Sequence, residues 1–556
     1  MLVQLLDIYG NTILEENGEE MFTGLSGSVI DYQILQNADN PIIIWSERRN
    51  NNNYRIFLQI LNGDGSNIFV ENGIPITANA NFYLYDFEAA YGENSGTIAL
   101  VWAENRLGYQ QIFAQGIDTS GNLLWADSTG ICLTPVDFES IKPKISLINN
   151  FGTDEYYIGW EDYSDFMDSR ITGQKIVNGN LEWGTEGKVI ADRNYNDELT
   201  EVIENYYIWQ SVGYNNQNIF CLMVDENGDP ATGWPEDGLE VCVEDGVQKQ
   251  ARGIITPQGL FVLWEDYRNG DADIYGQIVT PDGNILWQEN GLPLVTQEND
   301  QDDFKFIYDD RLYIVWQDSR SSYYPDIYLQ KFDLDGNELW QEGGILVAEA
   351  SDNGYYYPDL VKVGSEIIIV WGNYNDYNDL DIYSQLVSDD GELLWQLQDI
   401  MICDEIMDQT KPIIVSNGND DAYISWIDHR STIMGNEGLV TIPGIYAQKL
   451  HLEPTYVDEE LVEPIEILSN YPNPFNPETT IYFETINLHE LAQIEIYNVK
   501  GQKIKQLEII NLKLGINNVV WDGNNQNDQP VASGIYFYQL NVDNKIIASK
   551  KCLLLK

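Results

Sequence analysis

The sequence predicts an all-β protein in which a β-propeller of about eight four-stranded blades precedes a small β-sandwich. Three observations predict it: a tryptophan that recurs at near-constant spacing, a glutamine-bearing strand after it, and a change in charge near residue 467. Alternating apolar and polar residues between dense turn residues leave no helix of useful length. We therefore divide the chain into a repeat domain at 1–452, an acidic linker at 453–466 and a second domain at 467–556.

The tryptophan that defines the repeat ends an apolar run eight times, at intervals of 49 to 58 residues. Such a period indicates stacked or radially arranged units. The eight positions are Trp45, Trp102, Trp160, Trp209, Trp264, Trp316, Trp371 and Trp426.

Each tryptophan is flanked by further strand signals, which the fifth repeat illustrates. A strand at residues 274–277 ends in Gln277, and Trp287 stands ten residues later, beyond an Asp282-Gly283 turn. Asp-Gly between alternating runs is a strong hairpin signal. With one strand before the tryptophan run, each repeat offers four antiparallel strands, which is the composition of a propeller blade.

The chain ends bear on closure of the ring. After Gln448 the fourth strand of the last repeat is missing, whereas the N-terminus holds a spare copy with Gln4, Gly10 and Leu14 at the repeat spacing. We expect the N-terminal segment to complete the last blade. Because this segment also duplicates the glutamine strand, either one strand is left over or an upstream blade is absent from the sequence.

The net charge of −60 is unevenly distributed. Residues 467–556 hold eight basic and eight acidic side chains, so the first 466 residues carry 21 basic and 81 acidic ones. Such a field disfavours nucleic acid and anionic lipid as partners. It fits a solvated surface, with calcium or cationic partners as the alternative. No run of eighteen apolar residues is present, so we expect no membrane-spanning helix.

The repeat chemistry predicts no catalytic residue and no metal site. An acid and an arginine follow the tryptophan in five repeats, as in Asp266 and Arg268, and a feature shared by five blades indicates an interblade brace. The three histidines lack metal-ligand spacing. No cofactor is identified; the acid-rich turns resemble parts of calcium loops and leave calcium open. Five cysteines lack a disulfide pattern, although Cys221 and Cys242 could face each other.

The loop between the tryptophan and glutamine strands differs in every blade and is rich in tyrosine, asparagine and aspartate. Equivalent loops of a propeller emerge on one face, so these aromatic side chains should lie on one rim. Aromatic rings beside amides and carboxylates suit sugar rings, although they can also pack only within their own loops. The candidate ligand-binding residues are Tyr163, Tyr267, Tyr323, Tyr324, Tyr374 and Tyr377.

The last ninety residues carry four ordered motifs: a proline-rich opening at 471–481, then 496–502, 520–523 and 531–538, before a lysine-bearing end. This segment resembles the C-terminal sorting domain of the type IX (Por) secretion system. The resemblance implies an immunoglobulin-like sandwich, recognition by outer-membrane secretion machinery, and an extracellular or cell-surface location on a bacterium. The residues that carry the resemblance are Tyr471, Pro472, Asn473, Pro474, Phe475, Gly501, Gly534, Tyr536, Lys550 and Lys551.

The sequence therefore predicts a surface-displayed propeller that binds carbohydrate or another surface polymer. Two alternatives stay open: a polysaccharide-degrading hydrolase or lyase, and a purely structural or adhesive protein. We expect a binding protein rather than an enzyme, because the repeats show no unique constellation of polar residues. The first residues lack the basic start and long apolar stretch of a signal peptide, so we expect residues upstream of Met1.

Overall fold

The chain divides into two compact units, Met1–Glu453 and Pro454–Lys556. The described residues form strands and turns only. The computed structural model describes residues 5–6, 28–37, 40–49, 53–62, 66–70, 72–77, 82–106, 108–134, 139–150, 152–165, 168–193, 196–213, 216–350, 354–374, 379–395, 400–416, 421–430, 432–435, 438–441, 443–451, 468–473, 475–485, 492–498, 500, 502–508, 515–527, 529–542 and 545–555.

The described part of the first unit contains eight blade sheets, of which seven are four-stranded and one is five-stranded, together with a two-stranded hairpin, so the predicted propeller is confirmed. We number the blades in chain order and call their strands first, tryptophan, glutamine and outer strand. The strands are Ser28–Leu35, Ile42–Arg49, Asn53–Ile60 and Ile74–Pro75 (blade 1); Leu84–Gly92, Thr97–Glu104, Gln111–Asp118 and Ile131–Cys132 (blade 2); Glu139–Asn150, Thr153–Asp165, Asp168–Val177, Asn180–Leu181 and Lys188–Ala191 (blade 3); Asn196–Ile203, Tyr206–Val212, Gln217–Met223 and Leu239–Cys242 (blade 4); Gln248–Thr256, Gly259–Asp266, Asp273–Val279 and Leu292–Val295 (blade 5); Gln301–Asp309, Arg311–Asp318, Asp326–Phe332 and Ile345–Ala348 (blade 6); Tyr355–Val363, Glu366–Tyr374, Leu380–Val387 and Ile400–Cys403 (blade 7); and Gln409–Ser416, Asp421–Asp428, Gly444–His451 and Leu5–Leu6 (blade 8, with a hairpin of Thr432–Gly435 and Gly438–Thr441).

A buried glutamine explains the ten-residue spacing of the repeat. In blade 5, Gln277 Oε1 accepts hydrogen bonds from the N–H groups of Ile278 and Trp287, both at 2.9 Å, and Nε2 donates to the Gln288 carbonyl at 2.8 Å. The side chain holds the hairpin against its own strand, and the hydrogen bonds satisfy a fully buried amide. The same pattern recurs at Gln59, Gln115, Gln174, Gln330 and Gln385.

The second tryptophan of blades 3 to 6 joins neighbouring blades. Trp287 of blade 5 donates its indole N–H to the Leu334 carbonyl of blade 6 at 3.1 Å, and Trp340 of blade 6 does the same to Asp389 of blade 7. Equivalent bonds leave Trp183 and Trp234. Each indole therefore fixes the hairpin turn of the next blade, as a partly buried tryptophan N–H requires a partner.

The acid and arginine after the first tryptophan form the expected brace. Asp266 accepts from the Trp264 indole at 2.9 Å and pairs with Arg268, whose guanidinium lies 4.2 Å from the Tyr275 ring centre. Arg268 also donates to Cys242 Sγ of the preceding blade at 3.1 Å. The brace thus acts within its own blade as well as between blades. In this blade both carboxylate oxygens of Asp266 accept hydrogen bonds from Arg268.

Blades 1 and 8 close the ring. The Tyr32 hydroxyl of blade 1 lies 2.8 Å from the backbone carbonyls of Lys411 and Ser425 in blade 8, and Val29 N–H donates to the Pro443 carbonyl at 3.3 Å. Apolar side chains of both blades share one core cluster that includes Tyr32 and Tyr423. Residues nearly 400 positions apart in sequence therefore meet.

The N-terminus contributes to the last blade, as expected. Leu5–Leu6 pairs with the glutamine strand of blade 8 in a parallel register, Leu5 opposite Lys449. The other outer strands are antiparallel to their neighbours. The predicted fourth-strand copy around Leu14 lies outside the described residues.

The second unit is a sandwich of a three-stranded and a four-stranded sheet. Its strands are Leu468–Tyr471, Thr479–Thr485 and Gly515–Trp521 in one sheet, and Ala492–Asn498, Lys503–Glu508, Gly534–Val542 and Lys545–Leu554 in the other. The core contains Phe475 and Trp521, whose ring centres lie 5.4 Å apart. The predicted linker at 453–466 lies outside the described residues.

The sequence left open a disulfide between Cys221 and Cys242 of blade 4. This alternative is wrong, because all five cysteines are free. Cys221 lies opposite Leu239, and Cys242 lies opposite Ile219, so the two thiols do not occupy facing positions.

Candidate ligand-binding site

The first strands surround the axis of the ring, because the first strands of neighbouring blades contact one another. Each of them carries a β-bulge at the equivalent place. A bulge re-aims the side chains beside it. At five bulges a residue other than glycine adopts a left-handed backbone with φ between 46° and 58°, a strained state that marks ligand sites in many proteins. These residues are Lys142, Gln250, Asp303, Tyr357 and Lys411.

A cavity of about 460 Å³ opens among the first strands of blades 1 to 5, and we call it the channel cavity. Blade 3 contributes Lys142 and Lys144, and blade 5 contributes Lys249 and Arg252. Asp31, Asp86, Glu88 and Glu198 supply carboxylates from blades 1, 2 and 4. Its volume falls within the range of small-ligand sites.

Charges of both signs lie at one level of the channel, formed in each blade by the first-strand residue that pairs opposite the residue before the first tryptophan. Glu88 pairs with Lys144, and Arg252 lies 3.6 Å from Glu201. Three residues at this level also accept a backbone N–H from the next blade: Gln33 from Ala89, Glu88 from Ile145 and Asp359 from Ile414. The full set is Gln33, Glu88, Lys144, Glu201, Arg252, Lys305, Asp359 and Ile413, which carries three acids and three bases.

Tyr163 lies behind the cavity in a buried polar cluster. Its hydroxyl donates to Glu161 Oε2 at 3.1 Å, and Glu161 Oε1 accepts the Leu199 N–H of blade 4 at 3.0 Å. Lys142, which lines the cavity, lies 3.2 Å from the same carboxylate. Burial raises the pKa of Glu161 from 4.5 to about 7, against the opposing effect of Lys142.

Tyr267 repeats this arrangement in blade 5. Its hydroxyl lies 3.2 Å from Glu265, which accepts the Asp303 N–H of blade 6 and lies 3.4 Å from Lys249. The Lys249 ammonium lies 4.7 Å from the Tyr267 ring centre. Burial also raises the pKa of Glu265. Tyr163 and Tyr267 themselves do not line the cavity. Each hydrogen-bonds to a glutamate that pairs with a cavity-lining lysine.

Tyr323, Tyr324 and Tyr374 belong to a second group, which we call the tyrosine cluster. Tyr323 is 90% exposed, and its ring centre lies 5.5 Å from that of Tyr324. Tyr374 packs edge-on against Tyr356 at 5.5 Å, and the fifth member, Tyr357, lies 6.4 Å from Tyr356. Blades 6 and 7 therefore each bring tyrosine rings into contact, whereas the expectation that the loop tyrosines share one binding rim stays a prediction. Tyr377 lies outside the described residues.

The residues predicted to carry a sorting signal divide into buried and exposed positions. Phe475 and Tyr536 are core residues, and the Tyr536 hydroxyl donates to the Ala532 carbonyl. Asn473 Oδ1 accepts the Leu553 N–H, which ties the exposed opening segment to the last strand. Lys550 and Lys551 are exposed. Pro472 is exposed, Gly534 begins a strand, and Tyr471 pairs opposite Thr480. Pro474 and Gly501 lie outside the described residues.

Within the described residues, no three or more His, Cys, Asp or Glu side chains are grouped as a metal site. The same part of the chain contains no helix of the length and apolarity that crossing a membrane requires.

The fold and site define a class of protein, a β-propeller joined to a small β-sandwich. A family model described as the FlgD Ig-like domain matches residues 479–545. The immunoglobulin-like fold expected for the C-terminal region is therefore confirmed. The chain matches no curated protein.

Solved structures similar to the chain include glycoside hydrolases. They include an endo-arabinase from Bacteroides thetaiotaomicron, with 13% identity and a TM-score of 0.29 over 57% of this chain and 96% of that chain. An α-L-arabinofuranosidase from Fusarium graminearum shows 8% identity and a TM-score of 0.32 over 65% and 92% of the two chains. Likenesses at this level carry no argument about activity.

The cavity-lining lysines were not predicted from the sequence. They stand in first strands, whose letters differ from blade to blade, so no motif draws attention to them. One signal was present: bases are scarce in the first 466 residues, yet the four cavity-lining bases fall in the first strands of two blades, where Lys144 and Arg252 occupy equivalent register positions.

Proposed function

We propose that the propeller binds carbohydrate outside the cell and that the C-terminal unit directs its export. The observation that carries the binding proposal is the tyrosine cluster, with Tyr323 almost fully exposed beside Tyr324. Large exposed aromatic rings are costly in water and mark binding surfaces. Rings that stack on a sugar, with hydroxyl groups at their edges for hydrogen bonds, fit a polysaccharide.

Binding of the purified chain to a panel of polysaccharides, measured by calorimetry or pull-down, tests this proposal. We expect the double variant Tyr323→Ala, Tyr324→Ala to lower affinity about tenfold, since each lost aromatic contact is worth roughly 0.5–1.5 kcal/mol. Tyr109→Ala is the matched control, because Tyr109 is exposed on blade 2 and lies outside the cluster. Failure of the whole panel to bind, or equal loss in both variants, would contradict the proposal.

The export proposal is supported by the immunoglobulin-like match and by the ordered motifs of residues 471–551. It implies outer-membrane secretion machinery as the partner and a cell-surface or extracellular location. The test is fractionation of a bacterium that has such a system and expresses, behind a signal peptide in both cases, the full chain or the chain ending at residue 466. Surface exposure of the full chain only is the expected result; export of both forms would refute the proposal.

Polysaccharide degradation is a second candidate, favoured by one carboxyl group. The pKa of Asp302 is raised to about 7 by burial and by the charges of Glu265 and Asp303, which suits a general acid near neutral pH. Glycoside hydrolysis also needs a second carboxyl group across the scissile bond. Product release from the same panel, lost in Asp302→Asn, would favour this candidate, and a silent panel would exclude it.

A further inference from the structure

We propose that the channel cavity binds the negatively charged group of an acidic saccharide, a carboxylate-bearing sugar unit of the polymer that the propeller binds. This inference rests on the proposed function and names its substrate class. Three observations about the cavity carry it. Bases are concentrated there, the acidic partners of these bases are buried, and most of the carboxylates that line the cavity already accept hydrogen bonds from the protein.

Bases are concentrated at the cavity of an otherwise acidic unit. The first 466 residues contain 21 lysines and arginines, or about one residue in 22. Sixteen residues line the cavity, and four of them are Lys142, Lys144, Lys249 and Arg252. A base at one lining position in four is several times the average of this unit. Four acids line the same cavity, so its lining is neutral overall within a unit that is otherwise strongly acidic.

The acidic partners of two bases lie behind them, away from the cavity. The Lys142 side chain is 44% exposed, whereas its partner Glu161 is fully buried; Lys249 is 36% exposed and its partner Glu265 is 1% exposed. Arg252 is 44% exposed, against 26% for Glu201. Each ammonium has three N–H donors, so donors remain for a ligand. The raised pKa of Glu161 further leaves Lys142 incompletely neutralised near pH 7.

Three of the four carboxylates that line the cavity already accept hydrogen bonds from the protein. Asp31 pairs with Lys411 at 3.1 Å, and Glu198 accepts from Gln210 Nε2 at 2.8 Å. Glu88 accepts from Lys144 and from the Ile145 N–H. The fourth is Asp86, whose pKa is raised by burial. A ligand entering the cavity therefore meets donors, and charge-assisted bonds to a carboxylate are the strong ones.

The test compares a short sugar in two forms, digalacturonate and its carboxyl-reduced derivative, by calorimetry with the full chain, because a short ligand escapes most of the repulsion between a polyanion and this acidic unit. We expect the acidic form to bind at least about tenfold more tightly at low salt, with the preference falling as salt is raised. Equal affinity for both forms would overturn this inference and leave the proposed function standing. Binding of neither form would overturn both, provided the rest of the polysaccharide panel is also silent.

A paired substitution tests the cavity itself. Lys249→Met with Glu265→Gln removes both members of one ion pair, and glutamine already occupies the equivalent position at Gln210 and Gln317. We expect the preference for the acidic form to fall about fivefold or more while thermal unfolding is unchanged. Lys188→Met with Asp229→Asn, which removes both members of an ion pair at an outer strand, should keep the preference. An unchanged preference in the paired variant, or an equal loss in the control, would overturn the inference.

Discussion

Glu161 offers a test of how burial sets the energetics of the blades. Its side chain is fully buried and its carboxyl pKa is raised from 4.5 to about 7, chiefly by burial. The folded state therefore holds this proton more strongly than the unfolded chain does. The resulting stabilisation is fully present below pH 4.5 and is lost as the pH rises through 7.

Replacing Glu161 with glutamine should stabilise the protein at pH 8. Each unit of pKa is worth about 1.4 kcal/mol, so the ionised carboxyl costs roughly 3 kcal/mol there. The amide keeps an acceptor for the Leu199 N–H, now at 3.0 Å, while Lys142 loses a partner. The attraction of Lys142 is already contained in the raised pKa. We expect a gain of up to about 3 kcal/mol at pH 8.

Urea unfolding at pH 5 and pH 8 measures this effect. The variant should be more stable than the parent at pH 8, and its stability should decline less between the two pH values. Glu186→Gln, an exposed glutamate in the same blade, should change neither quantity. Destabilisation of Glu161→Gln at pH 8, or an unchanged difference between the two pH values, would refute the reasoning.

Three further predictions concern the fold and its charges. Gln277→Leu should lower the free energy of unfolding in urea by about 3 kcal/mol, because it leaves buried backbone groups of the hairpin unpaired. The isosteric Gln277→Glu should retain part of that stability at low pH. Thiol titration of the unreduced, denatured chain should count five thiols, and fewer than five would reveal a disulfide. The native chain should react much less, because only Cys132 is partly exposed. Arg268→Met should destabilise the protein by about 2 kcal/mol in urea unfolding, since Asp266 would be left buried without its charged partner; an effect below 0.5 kcal/mol would contradict the assigned brace.

The fold was predictable because the same physical requirement recurs in every blade. The buried amide of Gln277 must be satisfied by the returning hairpin, so the glutamine and the tryptophan ten residues later recur together. The Asp266 and Arg268 pair recurs for a similar reason, and its place in five blades identified it as structural. Closure through Leu5 in a parallel register was not predictable, since two residues carry no strand signal of their own.

The site was predictable only in part. Loop tyrosines such as Tyr323 stood out because they interrupt a regular pattern, and the structure leaves that ring exposed. Tyr163 and Tyr267 were predicted from the same loops, yet their hydroxyl groups hydrogen-bond to buried glutamates. Whether a loop residue points outward or inward depends on the carboxylate behind it, and the sequence of one blade does not show this. The cavity arises from five blades at once, so no local pattern could reveal it.

The repeat itself argues for where a ligand binds. Positions at which the blades agree, such as Gln277 and Trp264, are occupied by hydrogen bonds that hold the ring, and they have little left to offer a ligand. Positions facing the channel experience the same fold in all eight blades, so the fold alone gives no reason for them to differ. They nevertheless vary from Glu88 through Lys144 to Ile413. Variation at structurally equivalent positions indicates a requirement other than folding, such as ligand binding. The channel cavity, rather than the repeated motif, is therefore where ligand binding should be sought first.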